Sequence, residues 1–454
     1  MFINREAEIS RLKKALSREK TQLIIVYGRR RCGKSTLLKR LLVKDSIYFS
    51  ADMREMPLQI KAFSERFDGE IPGFSTPVYP GWDSVLRSLE RSLKNRITVC
   101  IDEFPYLVKN APELPSVLQN IIDDGSGSNY NLILCGSSQM MMNDMVLSRN
   151  APLYGRAGEI MKISPMSAYY LMKYLNLTAA EAVTEYSIWG GVPRYWEIRK
   201  TSESLDDALS YHVINQHGLL AEEPERLFSD EIRTSVQAYT LLSLIGSGSH
   251  RLSEIAARVG KPATHLSGAL SFLAEVKYIR REIPFGESLR STKKTLYKID
   301  DPFLRFWFTF VVPEKSRIDL GLSPQVLRGI RKGLNSFTAG TWEELCRNSV
   351  PLMIRDPEFR PAGRWWGRGR NGDSMEIDVI AESSDKKTML IGEAKWTESV
   401  NINYELNNLN DKIANLQFTG GRKIIPALFL KNKPHPVPPG IMIFDPEDVV
   451  GALN

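Results

Sequence analysis

Residues 28–35 read Gly-Arg-Arg-Arg-Cys-Gly-Lys-Ser, a G-x-x-x-x-G-K-[ST] pattern set between the apolar run Leu23–Tyr27 and a helical stretch that starts at Lys34. The pattern works only as a strand–loop–helix, so it commits the first part of the chain to an α/β fold around a phosphate-binding loop. Gly28 and Gly33 let backbone N–H groups wrap phosphate oxygens, and the helix start adds partial positive charge. Lys34 is expected to reach the β- and γ-phosphates and Ser35 to coordinate magnesium. Arg29, Arg30, Arg31, Cys32 and Thr36 fill out the expected nucleotide-binding set, with ATP and Mg2+ as the cofactors.

About 70 residues later Ile97-Thr98-Val99-Cys100-Ile101 ends in Asp102-Glu103, a buried-strand pattern closed by paired carboxylates. Asp102 is expected in the magnesium shell, and Glu103 to accept a proton from the attacking water, so the pair predicts hydrolysis as well as binding. The next apolar run, Asn131–Cys135, ends in Gly136-Ser137-Ser138, where a hydroxyl can contact the γ-phosphate or the water. Short apolar runs alternating with helical periodicity predict a parallel sheet covered on both faces.

The 454 residues carry 60 Lys+Arg against 53 Asp+Glu, and the excess is concentrated. Lys277–Lys298 has seven basic residues against two acids, and Arg355–Arg370 has five against two, so a polyanion would be drawn to these two places. The four cysteines are scattered without C-x-x-C spacing, which argues against a structural zinc site or a disulfide scaffold and predicts a cytoplasmic protein. No apolar run approaches the roughly 18 residues of a membrane span, and no membrane partner or signal peptide is expected.

The periodicity divides the chain into a nucleotide domain, 1–163, a helical appendage, 164–234, a winged helix-turn-helix, 235–300, a linker, 301–334, and a final α/β unit, 335–454. The winged helix is read from three short helices, the second closed by Gly260, and a basic hairpin of Tyr278–Ile283 and Lys294–Ile299. Lys261, Thr264 and His265 open its third helix, and Arg280, Arg281, Lys293 and Lys294 lie on the wing; all are expected to bind DNA, the Lys and Arg side chains through its phosphates. Arg364, Arg368 and Arg370 extend the same expectation to the last unit.

In that last unit Glu376-Ile377-Asp378 and Glu393-Ala394-Lys395 sit on successive strands, and alternation places each pair of charges on one face, so that four ionisable groups are expected together. Asp378 and Glu393 can hold magnesium while Lys395 stabilises a phosphate or orients water. The arrangement resembles the PD-(D/E)XK nuclease core, particularly Holliday-junction resolvases and restriction-like endonucleases. That resemblance adds Glu343 from the preceding helix and implies metal-dependent cleavage of DNA, branched or duplex.

Phe2-Ile3-Asn4-Arg5-Glu6, the phosphate loop, Asp102-Glu103-Phe104, Cys135-Gly136-Ser137-Ser138, Leu153-Tyr154-Gly155-Arg156 and Gly190-Gly191-Val192-Pro193-Arg194-Tyr195 together resemble the archaeal-type ATPase family of AAA+-related P-loop proteins. The resemblance covers the whole chain. It implies an α/β, AAA+-like ATPase domain with a helical appendage, a winged helix and a C-terminal restriction-endonuclease-like α/β domain. It implies Arg5 near the nucleotide base, Arg156 as an arginine finger with Arg149 as the alternative, Arg194 as a second sensor, and a homo-oligomer, a hexamer or smaller ring. Two functions fit: a DNA-stimulated ATPase that remodels or translocates DNA and carries a nuclease, or an ATP-switched regulatory NTPase whose other domains bind without cutting.

Overall fold

The computed structural model describes residues 3–42, 45–124, 129–137, 139–231, 235–288, 290, 292 and 294–454. It divides into two compact units, Met1–Pro165 and Met166–Asn454. Among the described residues no helix is long and apolar enough to cross a membrane.

The first unit is built on five parallel strands, β1 (Leu23–Tyr27), β2 (Ser46–Ser50), β3 (Ile97–Asp102), β4 (Tyr130–Gly136) and β5 (Glu159–Lys162), in the order β2-β3-β4-β1-β5. The central strands read as unbroken apolar runs because helices cover both faces; β4 is buried along its whole length. Strand β5 alternates buried and exposed residues, as an edge strand does. A cluster of Phe49, Phe63, Phe67, Phe74 and Trp82 packs one face through edge and tilted ring contacts. The order matters for chemistry: β4 stands between β1 and β3, so the loop after β4 lies between the phosphate loop and the paired carboxylates.

The second unit begins with helices Ala168–Leu175, Ala179–Trp189 and Pro193–Arg199. Thr178 and Glu181 form a capping box at the start of the second of these. Gly190, at φ +59°, turns the chain where a Cβ would meet the Pro302 ring at 2.9 Å, so the Gly-Gly-Val-Pro stretch serves close packing here.

Helices Ser235–Gly246, Leu252–Val259 and Ala263–Glu275 precede β6 (Ile279–Glu282) and β7 (Leu296–Ile299), which pair antiparallel. Residues 301–334 are not a linker. Phe303, Leu304, Phe306, Trp307 and Phe308 are all buried, with Phe303 packed 4.7 Å from Tyr195 and stacked at 6.3 Å on Trp189. A single helix, Ser323–Met353, then runs straight through the expected boundary at residue 335. An apolar aromatic run of this density has to be covered, which a linker cannot do.

The last sheet contains β8 (Gly363–Arg368), β9 (Ser374–Glu382), β10 (Thr388–Lys395), β11 (Lys423–Leu430) and β12 (Met442–Phe444), in the order β12-β11-β10-β9-β8. β8, β9 and β10 form an antiparallel meander, and helix Ile402–Asn415 carries the chain over to β11, which joins β10 in parallel. The long helix and Pro446–Ala452 cover one face, with Trp342 and Trp396 in contact at 5.2 Å, and helix Ile402–Asn415 covers the other.

Candidate active sites

The phosphate loop leaves β1 at Gly28, whose φ is +147° and whose missing Cβ would lie 2.3 Å from the Ile163 carbonyl oxygen; only glycine fits. Arg31 and Gly33 both take left-handed φ values, 68° and 85°, a conformation that turns successive N–H groups toward a concave, anion-accepting loop. Lys34 opens helix Lys34–Leu41 and is buried, with Nζ donating to the carbonyls of Gly28 at 2.9 Å and Arg29 at 3.0 Å. Its ammonium therefore spans the mouth of the loop. Arg29 and Cys32 are buried, Arg30 and Arg31 half-buried, and Thr36 exposed. Arg5 is buried beside this loop: its guanidinium donates to the Ser164 carbonyl at 2.6 Å and the Cys32 carbonyl at 3.5 Å and pairs with Glu8 at 2.7 Å. It staples the amino-terminal segment to the loop and to the exit of the unit.

Asp102 ends β3 almost fully buried. Burial alone would raise its pKa, yet hydrogen bonds from Cys135, Ser35, Tyr48 and the Glu103 N–H bring it below the ordinary carboxylate value. Ser35 and Asp102 are thus already neighbours, and a hydroxyl with an ionised carboxylate is a donor set that suits magnesium, which keeps several waters and needs few protein ligands. Glu103, at φ +54°, turns the chain from β3 into helix Phe104–Asn110, whose first turn holds Pro105. A non-glycine residue at positive φ is uncommon, and here it makes the sharp turn from strand to helix. Ser137, at the end of β4, donates to both Glu103 carboxylate oxygens at 2.7 and 3.0 Å. Ser138 lies outside the described residues.

Arg156 pairs with both oxygens of Asp123, at 2.8 and 2.6 Å, and donates to the carbonyls of Pro152 and Tyr154. It borders a cavity with Gln22 and Leu23, at the amino-terminal end of β1. The phosphate loop leaves the other end, roughly 16 Å away for a five-residue strand. Arg156 is therefore remote from the loop of its own chain. Arg149 is exposed, and Arg194, in the second unit, is exposed and paired with Glu197 at 2.9 Å.

The second constellation lies on β9 and β10. Their antiparallel register brings Asp378 beside Glu393, and Asp378 Oδ2 accepts the Ala394 N–H at 3.0 Å. Glu393 is nearly inaccessible; one of its oxygens accepts from Lys412 at 2.7 Å and the other from Lys395 at 3.3 Å. Burial, reinforced by the Asp378 charge, pushes Glu393 up to about 7. Glu343, on the long helix, is raised for the same two reasons, burial and then Asp378, and lies 3.6 Å from Arg347. Lys395 is also 3.6 Å from Glu405. Glu343, Asp378, Glu393 and Lys395 are thus electrostatically one cluster. Among the described residues no three His, Cys, Asp or Glu side chains form a ready metal cage. Asp378 and Glu393 remain two carboxylates able to bind a hard cation completed by water.

Some expected residues do other work. Glu376 does not join the acidic cluster, because Arg364 on β8 draws it into an ion pair. Arg364 also lies 3.6 Å from Glu282, so its charge is shared. Arg280 is not a surface cation: it is largely buried between Glu344, at 2.9 Å, and Asp300, at 3.4 Å. Lys261, Thr264, His265, Arg281, Lys294, Arg368 and Arg370 are exposed, with Lys294 bonded to Glu287 at 2.7 Å; Lys293 lies outside the described residues. Sequence reasoning missed Tyr48, Arg347, Glu405 and Lys412. Glu405, Leu409 and Lys412 are spaced four and three apart, which marks one helix face, and that was the available signal.

The family described as an ATPase domain predominantly from Archaea matches residues 2–197. A second, described as Archaea bacterial proteins of unknown function, matches residues 307–408, which include Glu343, Asp378, Glu393 and Lys395. The uncharacterized protein MJECL04 of Methanocaldococcus jannaschii is 31% identical over 405 residues, 88% of either chain. The uncharacterized ATP-binding protein MJ0423 of the same organism is 45% identical over 47 residues, 10% of this chain and 80% of that one. Among solved structures the Walker-type ATPase PABY2304 of Pyrococcus abyssi superposes with a TM-score of 0.52 at 22% identity, covering 68% of this chain and 96% of that one, a likeness of fold. With its nucleotide loop, carboxylate pair and parallel sheet in place, the chain belongs to the family of P-loop ATPases found predominantly in Archaea, together with the methanogen protein it matches along most of its length.

Proposed function

We propose that this ATPase acts on DNA, and that its C-terminal domain is a metal-dependent nucleolytic centre of the PD-(D/E)XK kind. In the nucleotide site Lys34 and the loop N–H groups bind the phosphates of ATP. Ser35 and Asp102 would hold magnesium, which neutralises charge on the phosphates. Glu103 takes the proton of the attacking water at its carboxylate, and Ser137 orients that carboxylate. Arg156, remote from its own loop, serves a neighbouring subunit in a ring, or else is a structural arginine held by Asp123.

The single observation behind the nucleolytic reading is the electrostatic cluster that Glu343 on the long helix forms with Asp378, Glu393 and Lys395 on β9 and β10. Asp378 and Glu393 would hold the metal, whose chemistry is to polarise a phosphate oxygen and lower the pKa of water. Lys395 stabilises the negative charge that builds on the phosphate. Incubation of linear and branched duplex DNA with magnesium or manganese should give products that Asp378→Ala does not give, while ATP turnover persists in that variant. Wild type that cuts nothing in either metal, with its ATPase active, refutes the reading.

One observation favours a second reading, an ATP-switched regulatory NTPase with a non-cutting scaffold: both Glu393 oxygens are already occupied by lysines. On that reading DNA leaves ATP turnover unchanged and ATP alters the oligomeric state.

A further inference from the structure

Between the winged helix and the β8–β9 hairpin lies an open groove of about 1410 Å³. This exceeds the roughly 300–1,000 Å³ of ordinary small-molecule sites, and so suits an extended ligand. Among the described residues that line it, Arg251, Arg281, Lys294, Arg364 and Arg368 are basic and Glu376 is the one acid. The cations stand on both walls, three from the winged helix and two from β8. Leu252, Ser253 and Ala263, in the first turns of two helices, also border it, so their helix dipoles add positive potential.

The walls are fixed to one another. Glu282 on the wing is buried among Lys298 at 2.7 Å, Arg364 at 3.6 Å and Arg347 at 3.9 Å. Burial would raise its pKa, but Lys298, Arg280 and Arg347 hold it down at about 2. Arg280 reaches from the same strand to Glu344 on the long helix. The Phe285 N–H donates to the Arg364 carbonyl at 2.8 Å, and Phe285 packs against Gly363 and Phe418. A ligand in the groove therefore meets a preformed surface and pays little ordering entropy.

The groove also has a direction. Glu376 in its wall is two residues from Asp378 on β9, about 7 Å along the strand. A chain of phosphates laid along the basic walls would pass beside the acidic cluster.

We propose that this groove is a nucleic-acid track that carries the phosphate backbone of DNA past the winged helix to the Asp378–Glu393 cluster. The proposal rests on the DNA reading above and specifies where the DNA lies. An acidic polypeptide would meet the same cations, but it has no phosphodiester to offer the neighbouring Asp378–Glu393 cluster, whose reading as a metal site favours DNA as the occupant.

The test is a titration of fluorescent duplex DNA with the full chain across a salt series, comparing wild type, Arg281→Ala/Lys294→Ala/Arg368→Ala and Asp378→Ala. Loss of three phosphate contacts should lower the slope of log K against log salt by about 2.7. Between about 50 and about 200 mM salt, wild type should then lose about 40-fold more affinity than the triple variant. Asp378→Ala should bind at least as tightly as wild type. Arg368→Glu, one exposed change, should weaken binding even if the triple variant folds poorly, and the charge-conserving Arg281→Lys/Lys294→Arg/Arg368→Lys should restore it. If wild type binds DNA and neither Arg368→Glu nor the triple variant alters affinity or slope, the groove is the wrong place while the DNA reading stands. If wild type fails to bind DNA at low salt, both fall. Preference for poly-glutamate over DNA overturns the track in favour of an acidic protein partner.

Discussion

Lys412→Met removes one charge from beside the buried Glu393 and keeps most of the aliphatic stem, so it isolates the electrostatic part of the pair. The folded-state value of Glu393, about 7, lies above its ordinary 4.5. The native chain therefore holds a proton there that the unfolded chain has released. This group's contribution to stability is full below about pH 4.5 and is lost as pH rises through about 7. Without Lys412, only Lys395 at 3.3 Å remains to stabilise the carboxylate, and the folded value rises further. The penalty has a ceiling, because the variant can always keep the proton. At pH 8.5 ionisation of Glu393 favours wild type by about 1.5 pH units times 1.36 kcal/mol, or about 2 kcal/mol, which the variant forfeits. At pH 5.5 Glu393 is protonated in both, and only a hydrogen bond of about 1 kcal/mol is at stake. Urea unfolding followed by tryptophan fluorescence reads this directly, since Trp342 and Trp396 are buried in the same domain. The expected result is a loss that grows by about 2 kcal/mol between the two pH values. An equal loss at both, or none at pH 8.5, refutes the coupling of Lys412 to a buried, readily protonated Glu393.

Three further outcomes are expected in the nucleotide domain. Gly28→Ala places a methyl 2.3 Å from the Ile163 carbonyl at a left-handed φ, so nucleotide binding should be lost with roughly 1–3 kcal/mol of strain, read by ATP titration and thermal unfolding. Lys34→Ala should weaken ATP binding, whereas Glu103→Gln should bind ATP normally and hydrolyse it at least about 100-fold more slowly, which equilibrium binding and single-turnover assays separate. Tyr48→Phe removes a donor that helps hold Asp102 ionised, so the magnesium concentration needed for half-maximal turnover should rise; an unchanged requirement would make Tyr48 a packing residue.

The nucleotide site was legible because its chemistry is local. Gly28 to Ser35 is one loop between a strand and a helix, and the strands on which Asp102 and Ser137 sit are continuous apolar runs that announce themselves. The acidic cluster was half legible for the same reason: alternation along β9 and β10 fixes which charges share a face, but not which neighbour each charge meets. Glu376 could be placed on the face of Asp378, yet its capture by Arg364 depends on β8 pairing beside it. Lys412 reaches Glu393 only because helix Ile402–Asn415 crosses the sheet on the way to β11.

The basic residues show the division most clearly. Their concentration at 277–298 and 355–370 is a property of the sequence alone, as is the pattern of helices and hairpin that carries the first of them. Local propensity and periodicity determine where a charge sits along the chain, because those effects act within a few residues. Whether it faces solvent is set by partners far away in sequence: Arg280 is consumed by Glu344, Arg364 is divided between Glu282 and Glu376, and Arg281 and Arg368 remain exposed. The run of aromatic residues at 303–308 is core, because burying it is the larger free-energy gain. Sequence determined the elements and the inventory of charges; tertiary packing, which alone brings opposite charges within ion-pair distance and removes water from between them, decided which of those charges remain to act.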